Sequence, residues 1–195
     1  MTTWRDRLRC AGTGLRGDHD LNPTLSPNPA PPVAAAVLVA IVERPEGPSV
    51  IFTRRTDHLS SHAGQVSFPG GRWEPEDRDA VAVALRETWE EIGLPPNQVT
   101  VVGRLDTYVT RTGYEVTPVV GVVAPPLTLQ RDPFEVAEIF EVPLAFLLDP
   151  ANRRIERREL RGVSREFYAF AFENWVIWGA TAGMLVNLCD VLAKP

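Results

Sequence analysis

The feature that most constrains this fold is a helix whose ends and faces can be read directly between Asp77 and Pro96. Asp77 is placed to cap its start, because a short carboxylate can accept from the free amides of a first helical turn. Asp79 adds negative charge near the positive end of the helix dipole. Gly93 can adopt the left-handed conformation that ends a helix, and Pro95-Pro96 cannot continue one. Between these signals Val81, Ala84, Leu85, Thr88 and Ile92 recur at helical spacing and form a packing face.

The charged face of the same helix is unusual. Glu87, Glu90 and Glu91 lie three and four positions apart, so they project from one side. Like charges at this spacing cost a helix about 0.2–0.5 kcal/mol per pair. Two readings follow: a solvated acidic face, or a site for a hard divalent cation that takes carboxylate oxygens. Arg86 precedes Glu90 by four residues and can partly neutralise the cluster. Upstream, Gly70-Gly71 permits positive φ and lets backbone approach a ligand closely.

The stretch Arg86-Glu87-Thr88-Trp89-Glu90-Glu91-Ile92-Gly93-Leu94 resembles the end of the Nudix box, the signature of the Nudix hydrolase family. Gly71 matches the glycine that opens the box, with one extra residue between it and Arg86. Arg78 occupies the place of the upstream glutamate, with Asp77 beside it, and Thr88 replaces an aliphatic residue. The preceding segment is similar to the additional motif of the coenzyme A pyrophosphatase branch. Thr53, Arg55, Gly64, Phe68, Pro69, Gly70 and Gly71 match it in register, Thr56 stands for Ser or Ala, and Ser60 stands where the motif has Arg. The likeness extends over about residues 33 to 192, through Glu135-Val136-Ala137-Glu138 and Ile177-Trp178-Gly179-Ala180-Thr181-Ala182-Gly183-Met184.

This resemblance implies an α+β Nudix fold, a mixed β-sheet sandwiched between α-helices, and hydrolysis of a pyrophosphate. Glu87 and Glu91 would be the principal ligands of Mg²⁺ or Mn²⁺, Glu90 an additional one and Gly71 a backbone ligand. Arg86 would orient a glutamate. The general base stays open among Glu90, Glu135 and Glu138. Arg55, Gly64 and Phe68, which fall in the matched motif, would meet the substrate; Arg54, Arg72 and Arg111 are further candidates by their position in the chain, with a solvated surface charge as the alternative for Arg54 and Arg111. That substrate would be coenzyme A, split into 3′,5′-ADP and 4′-phosphopantetheine. Two alternatives stand beside it: another nucleoside diphosphate derivative such as ADP-ribose or NADH, suggested by Ser60, and a non-catalytic nucleotide-binding module.

Composition agrees with these readings and excludes others. With 195 residues, 44% hydrophobic and 23% charged, the chain has the size and balance of one globular domain. A net charge of −5 argues against a nucleic-acid backbone as partner, while local arginines can still bind a small anion. No uninterrupted apolar run reaches the roughly 20 residues that span a membrane. The N-terminus shows no signal-peptide core, so the expected location is the cytoplasm. There Cys10 and Cys189 would be reduced or buried thiols.

Residues 1–32 read as an N-terminal arm holding one short helix and a Pro-rich connector, a segment that could also serve a homodimer. Residues 33–195 read as the Nudix hydrolase domain. Val33 to Val42 is a strand covered on both faces, Ser49 to Arg54 the returning strand, and Gln65 to Phe68 a short one. Val99 to Val109 and Tyr114 to Val123 flank a turn bearing Arg111. Glu141 to Leu148 is expected as a helix with Pro143 in its first turn. Arg153 to Arg161 is an exposed hairpin edge, Phe167 to Phe172 a strand, and Trp178 to Leu192 an apolar helix that, with Trp175, belongs to the core. His58 and His62 have metal-ligand spacing if helical, against a packing or substrate-contact role.

Overall fold

The computed structural model of the protein describes residues 4–9, 12–24, 28, 30–58, 62–160 and 163–193. Cys10 and Ser60 lie outside them. The spine of the fold is the strand over Val33–Val42, third in a series that begins with α1 (Trp4–Arg9) and β1 (Leu15–Gly17) and is named β2. It is followed by β3 (Ser49–Arg55), β4 (Val66–Ser67), β5 (Gly70–Arg72) and α2 (Ala80–Ile92). Then come β6 (Val99–Arg104), β7 (Thr107–Val109), β8 (Tyr114–Val123), β9 (Val136–Pro143) and α3 (Leu144–Leu148). The chain ends with β10 (Arg153–Leu160), β11 (Val163–Phe172), β12 (Trp175–Trp178) and α4 (Ala180–Ala193).

β2 is apolar throughout because both its faces are covered. Ala36, Leu38, Ala40 and Val42 face a core completed by Val83, Ala84 and Ile92 of α2. Ala35, Val39 and Ile41 face a second core completed by Leu8 of α1 and by Leu185, Leu188 and Val191 of α4. The two-residue period of a strand thus assigns alternate side chains to two layers, and helices cover both sides of a mixed sheet. β8 runs parallel to β2 from Val33↔Tyr114 to Val42↔Val123. On the other side β2 pairs antiparallel with β5 through Ala35↔Arg72 and Val37↔Gly70, and at its far end with β3. This register holds Gly70 and Gly71 beside the centre of the sheet, with α2 rising immediately after.

The sequence-based expectations need four corrections here. The cap of α2 is Asp79, whose carboxylate accepts from the Ala82 amide; Asp77 lies too early and is engaged elsewhere. The buried face of α2 is turned toward Val83, leaving Val81 and Leu85 half-buried. The residues from Glu141 to Pro143 end a strand, not start a helix, because β9 pairs antiparallel with β3 from Pro143 back to Val136. The expected strand over Val99 to Val109 is interrupted at Leu105-Asp106, dividing it into β6 and β7.

The N-terminal residues are built onto this frame. Leu8 is fully buried, and β1 adds a parallel strand to β7 at the sheet edge. Asp18 fastens the following turn: it accepts from the Tyr108 hydroxyl at 2.8 Å and from the Arg111 amide at 2.8 Å. No helix among the described residues is long and apolar enough to cross a membrane. Leu8→Ala should lower the free energy of unfolding by about 2–5 kcal/mol, as expected for a buried leucine that leaves a cavity. Urea titration checks this, and a change below about 0.5 kcal/mol would mean that the arm is dispensable to the core.

Candidate active site

Two carboxylates of α2 close onto two adjacent glycines of β5. The Gly70 amide donates to Glu91 Oε2 at 3.2 Å. A Cβ added to Gly71 would lie 2.5 Å from Glu87 Oε1 and closer still to its Cδ and Oε2. A side chain at Gly71 would therefore displace the Glu87 carboxylate above it. At Gly70 glycine is required by a φ of +150° and by the carbonyl of Ala36 beneath.

Arg86 organises the acidic side of the helix. Its Nε and Nη2 donate to the two oxygens of Asp77 at 3.2 and 2.8 Å, the forked geometry that suits a guanidinium and a carboxylate. Its Nη1 donates to Glu87 at 2.9 Å and to Glu90 at 3.3 Å, and its Nη2 also reaches the Arg72 carbonyl at 3.0 Å. Hydrogen bonding to Arg86 holds the Asp77 carboxyl below its ordinary value, and the same bond raises Arg86. The Asp77 side chain is 6% exposed, so a charge there needs such a partner.

The two carboxylates at the glycines are less well compensated. Burial raises Glu87 above its ordinary value, opposed by Arg86 and reinforced by the charges of Glu90 and Glu135. Glu91 is only 4% exposed. Burial pushes it up to about 8, against the Gly70 amide and Arg55, with the charges of Glu135 and Glu87 adding to the rise. Arg55 Nη1 stands 3.7 Å from Glu91 Oε1.

The residues singled out in the sequence divide into two groups. Glu87, Glu90, Glu91, Arg86, Gly71 and Arg55 come together, and Glu135 lies close enough for its charge to be felt at both Glu87 and Glu91. Arg72 contributes its carbonyl to Arg86, while its guanidinium donates to the Tyr114 hydroxyl at 2.5 Å and lies over that ring. Glu138 is paired across the strands with Arg54, whose guanidinium donates to Asp57 at 3.0 Å. Gly64 packs against the same Arg54–Asp57 pair. Arg111 sits in the turn fastened by Asp18. Phe68 is a correction: it is 2% exposed and stacks on Phe52 with ring centroids 5.0 Å apart, so it belongs to the core and not to a ligand surface. His58 packs edge-on against Phe134, and His62 Nδ1 shares a hydrogen bond with Gln65. Asp77 is the site residue whose role the sequence reading missed.

The donor chemistry fits a hard divalent cation. Carboxylate oxygens dominate, the Glu91 carboxylate is buried and the Glu87 carboxylate half-buried with incomplete charge compensation, and the Gly71 backbone lies against Glu87. Among the described residues, however, no three acidic, histidine or cysteine side chains already converge as a metal cage would require. The Arg86 guanidinium lies between Glu87 and Glu90 instead.

A model of the NUDIX domain matches residues 32–161. Nudix hydrolase NudL of Escherichia coli strain K12 is 42% identical over 162 residues, covering 83% of this chain and 84% of its own. NudL of Shigella flexneri serotype 5b is 40% identical over 176 residues, 90% and 91% of the two chains. Among solved structures, a MutT/nudix family protein from Enterococcus faecalis shares the fold with a TM-score of 0.51 at 14% identity, covering 86% of this chain and 64% of that one.

Two outcomes follow from the geometry. Gly71→Ala should displace the Glu87 carboxylate and cut turnover about tenfold or more, with circular dichroism and the far side of the sheet unchanged. Native turnover in this variant would show that the close approach is not needed. The second outcome concerns pH. Because Glu91 is raised from 4.5 to about 8 in the folded state, its protonation stabilises the fold fully below the unfolded value, and that stability is lost as pH rises through 8. In chelator, Glu91→Gln should melt with the native protein near pH 4.5 and above it at about pH 9. Equal melting temperatures at both pH values would contradict the burial cost assigned to Glu91.

Proposed function

The chain belongs to the Nudix family of hydrolases, and from that premise we propose that this enzyme of nucleoside diphosphate derivatives cleaves coenzyme A at its pyrophosphate, giving 3′,5′-ADP and 4′-phosphopantetheine. The observation that carries the reading is the pair of glutamates, half-buried Glu87 and buried Glu91, closed onto Gly71 and Gly70. Thr53, Arg55, Gly64, Pro69 and the glycine pair, which match the coenzyme A motif, lead into that same bend and support the choice of substrate.

A pyrophosphate resists hydrolysis because negative oxygens shield its phosphorus. Glu87 and Glu91, with Glu90 and the Gly71 backbone, would hold Mg²⁺ or Mn²⁺, which when bound supplies positive charge to those oxygens and makes a coordinated water more acidic. Arg86 fixes the orientation of Glu87 and Glu90 through one Nη1 and is itself fixed by Asp77. Arg55, the cation nearest Glu91, is placed to meet a phosphate oxygen; Arg54, Arg72 and Arg111 extend the same substrate surface in this reading. Glu135 is favoured over Glu138 as general base because its charge reaches both Glu87 and Glu91, with Glu90 as the other candidate. The enzyme would act in the cytoplasm, with residues 33–195 as its hydrolase domain, residues 1–32 as an arm packed on it, and a homodimer as one available assembly.

One residue favours a second reading. Ser60 stands where the coenzyme A motif carries an arginine, which leaves one phosphate contact fewer and makes ADP-ribose or NADH the competing substrates. A panel of coenzyme A, ADP-ribose and NADH, each with Mg²⁺ and with Mn²⁺ and with products identified by mass, separates them. Coenzyme A should give the highest kcat/KM. Glu87→Gln and Glu91→Gln should each reduce that turnover by at least about a hundredfold while keeping the fold. A higher kcat/KM for ADP-ribose would transfer the assignment, and binding without product release would make the chain a nucleotide-binding module.

A further inference from the structure

Trp89 is the one aromatic residue of α2, and it is 52% exposed. Folding does not account for it there, since its neighbours Thr88 and Ile92 already supply the buried face. Its ring forms a wall of an open cleft of about 590 Å³, within the range of small-molecule sites. The opposite wall comes from the loop before β9 and includes Gln130 and Asp132.

This cleft is preformed and adjoins the glutamates. The Gln130 amide donates to the Ile92 carbonyl at 2.9 Å and the Asp132 amide to the Glu91 carbonyl at 2.8 Å, so backbone bonds fasten the loop to the end of α2. Arg131 Nη1 donates to the Val136 carbonyl at 2.9 Å and steadies the loop from its other side. Glu90 lines the cleft and accepts from the same Arg86 nitrogen that holds Glu87. One guanidinium therefore links the cleft to the glycine bend.

We propose that this cleft is the nucleobase subsite: the base of the substrate stacks on the Trp89 indole while the side-chain amide of Gln130 meets its hydrogen-bonding edge. The proposal rests on the reading that the diphosphate lies over Glu87 and Glu91. A flat aromatic face suits a flat heterocycle, and a side-chain amide offers one donor and one acceptor group together, as an adenine edge requires. The other chemistry of such substrates fits less well. Glu90 and Asp132 oppose an additional phosphate in the cleft, and a flexible aliphatic arm loses rotamer freedom in lying on a rigid plane that a flat base covers without that cost.

The test compares adenosine 5′-monophosphate with ribose 5-phosphate, which has the same phosphate but no base, by calorimetric titration of the full chain with Mg²⁺. Adenosine 5′-monophosphate should bind the native protein more tightly than ribose 5-phosphate. Trp89→Ala should weaken it about tenfold and leave ribose 5-phosphate unchanged, while Trp89→Phe, which keeps an aromatic face, should stay within about threefold of native. With whichever diphosphate substrate is turned over, Trp89→Ala should raise KM about tenfold with kcat within about twofold. Equal binding of the two ligands, or native KM in Trp89→Ala, would overturn the subsite. Failure of coenzyme A in the substrate panel, with the base-dependent binding retained, would overturn the substrate assignment and leave the subsite standing.

Discussion

Everything at this site depends on the close approach of helix α2 to the glycine bend of β5. A side chain at Gly71 would occupy the volume that the Glu87 carboxylate fills, and one at Gly70 would strike the backbone of β2. The two glycines thus do more than permit a turn. They let a helix bring one acid, Glu91, into a space where water is largely excluded and a second, Glu87, into a half-buried position, and they offer Glu91 a backbone amide as partial compensation. Burial of these acids is unfavourable for the protein alone, and this kind of local cost is retained where chemistry needs it.

Arg86 determines how far that cost extends. Its guanidinium is shared among Asp77, Glu87, Glu90 and the Arg72 carbonyl. Asp77 takes the forked pair and so fixes the plane of the group, leaving the remaining nitrogen to hold two glutamates. Without Asp77 the same arginine could swing fully onto Glu87 or Glu90. The acid that precedes the helix is therefore a positioning residue. It sets the direction of the cation that in turn sets the direction of the carboxylates.

Much of this was legible in the sequence, for local reasons. The unbroken apolar run of β2 announced a strand covered on both sides, and the stop of α2 was visible because Gly93 and two prolines act within a few residues. The errors arose where long-range contacts decide. Asp77 and Asp79 are equally good caps by residue type; Arg86, nine residues beyond Asp77, removes one of them from contention. β9 carries Glu138 and Glu141 among its apolar residues, which hid its alternation, and its identity as a strand comes from pairing with β3 some ninety residues earlier. Glu141 itself is held by Arg44 at 2.6 Å and by Ser49. Phe68 falls within a ligand motif by sequence, yet Val66 and Phe68 alternate about Ser67 as core residues of a short strand do.

The placement of the bend also explains why one strand can serve both stability and chemistry. β2 contributes alternate side chains to two separate cores, so its position is fixed from above and below. Only its backbone edge remains for the site, and β5 binds there through Ala35, Ala36 and Val37. Motion of the glycine bend relative to the sheet would break those ladder bonds, while motion of α2 would open the core formed by Val83, Ala84 and Ile92. The distance between the glycines and the glutamates is consequently set by two stiff elements packed on the same strand. The residues proposed to meet substrate are held less uniformly: Arg55 ends strand β3, Arg111 sits in the turn between β7 and β8, and Glu135 immediately precedes β9. Such an arrangement keeps the acidic pair constant while allowing the surrounding loops to determine which diphosphate is accepted.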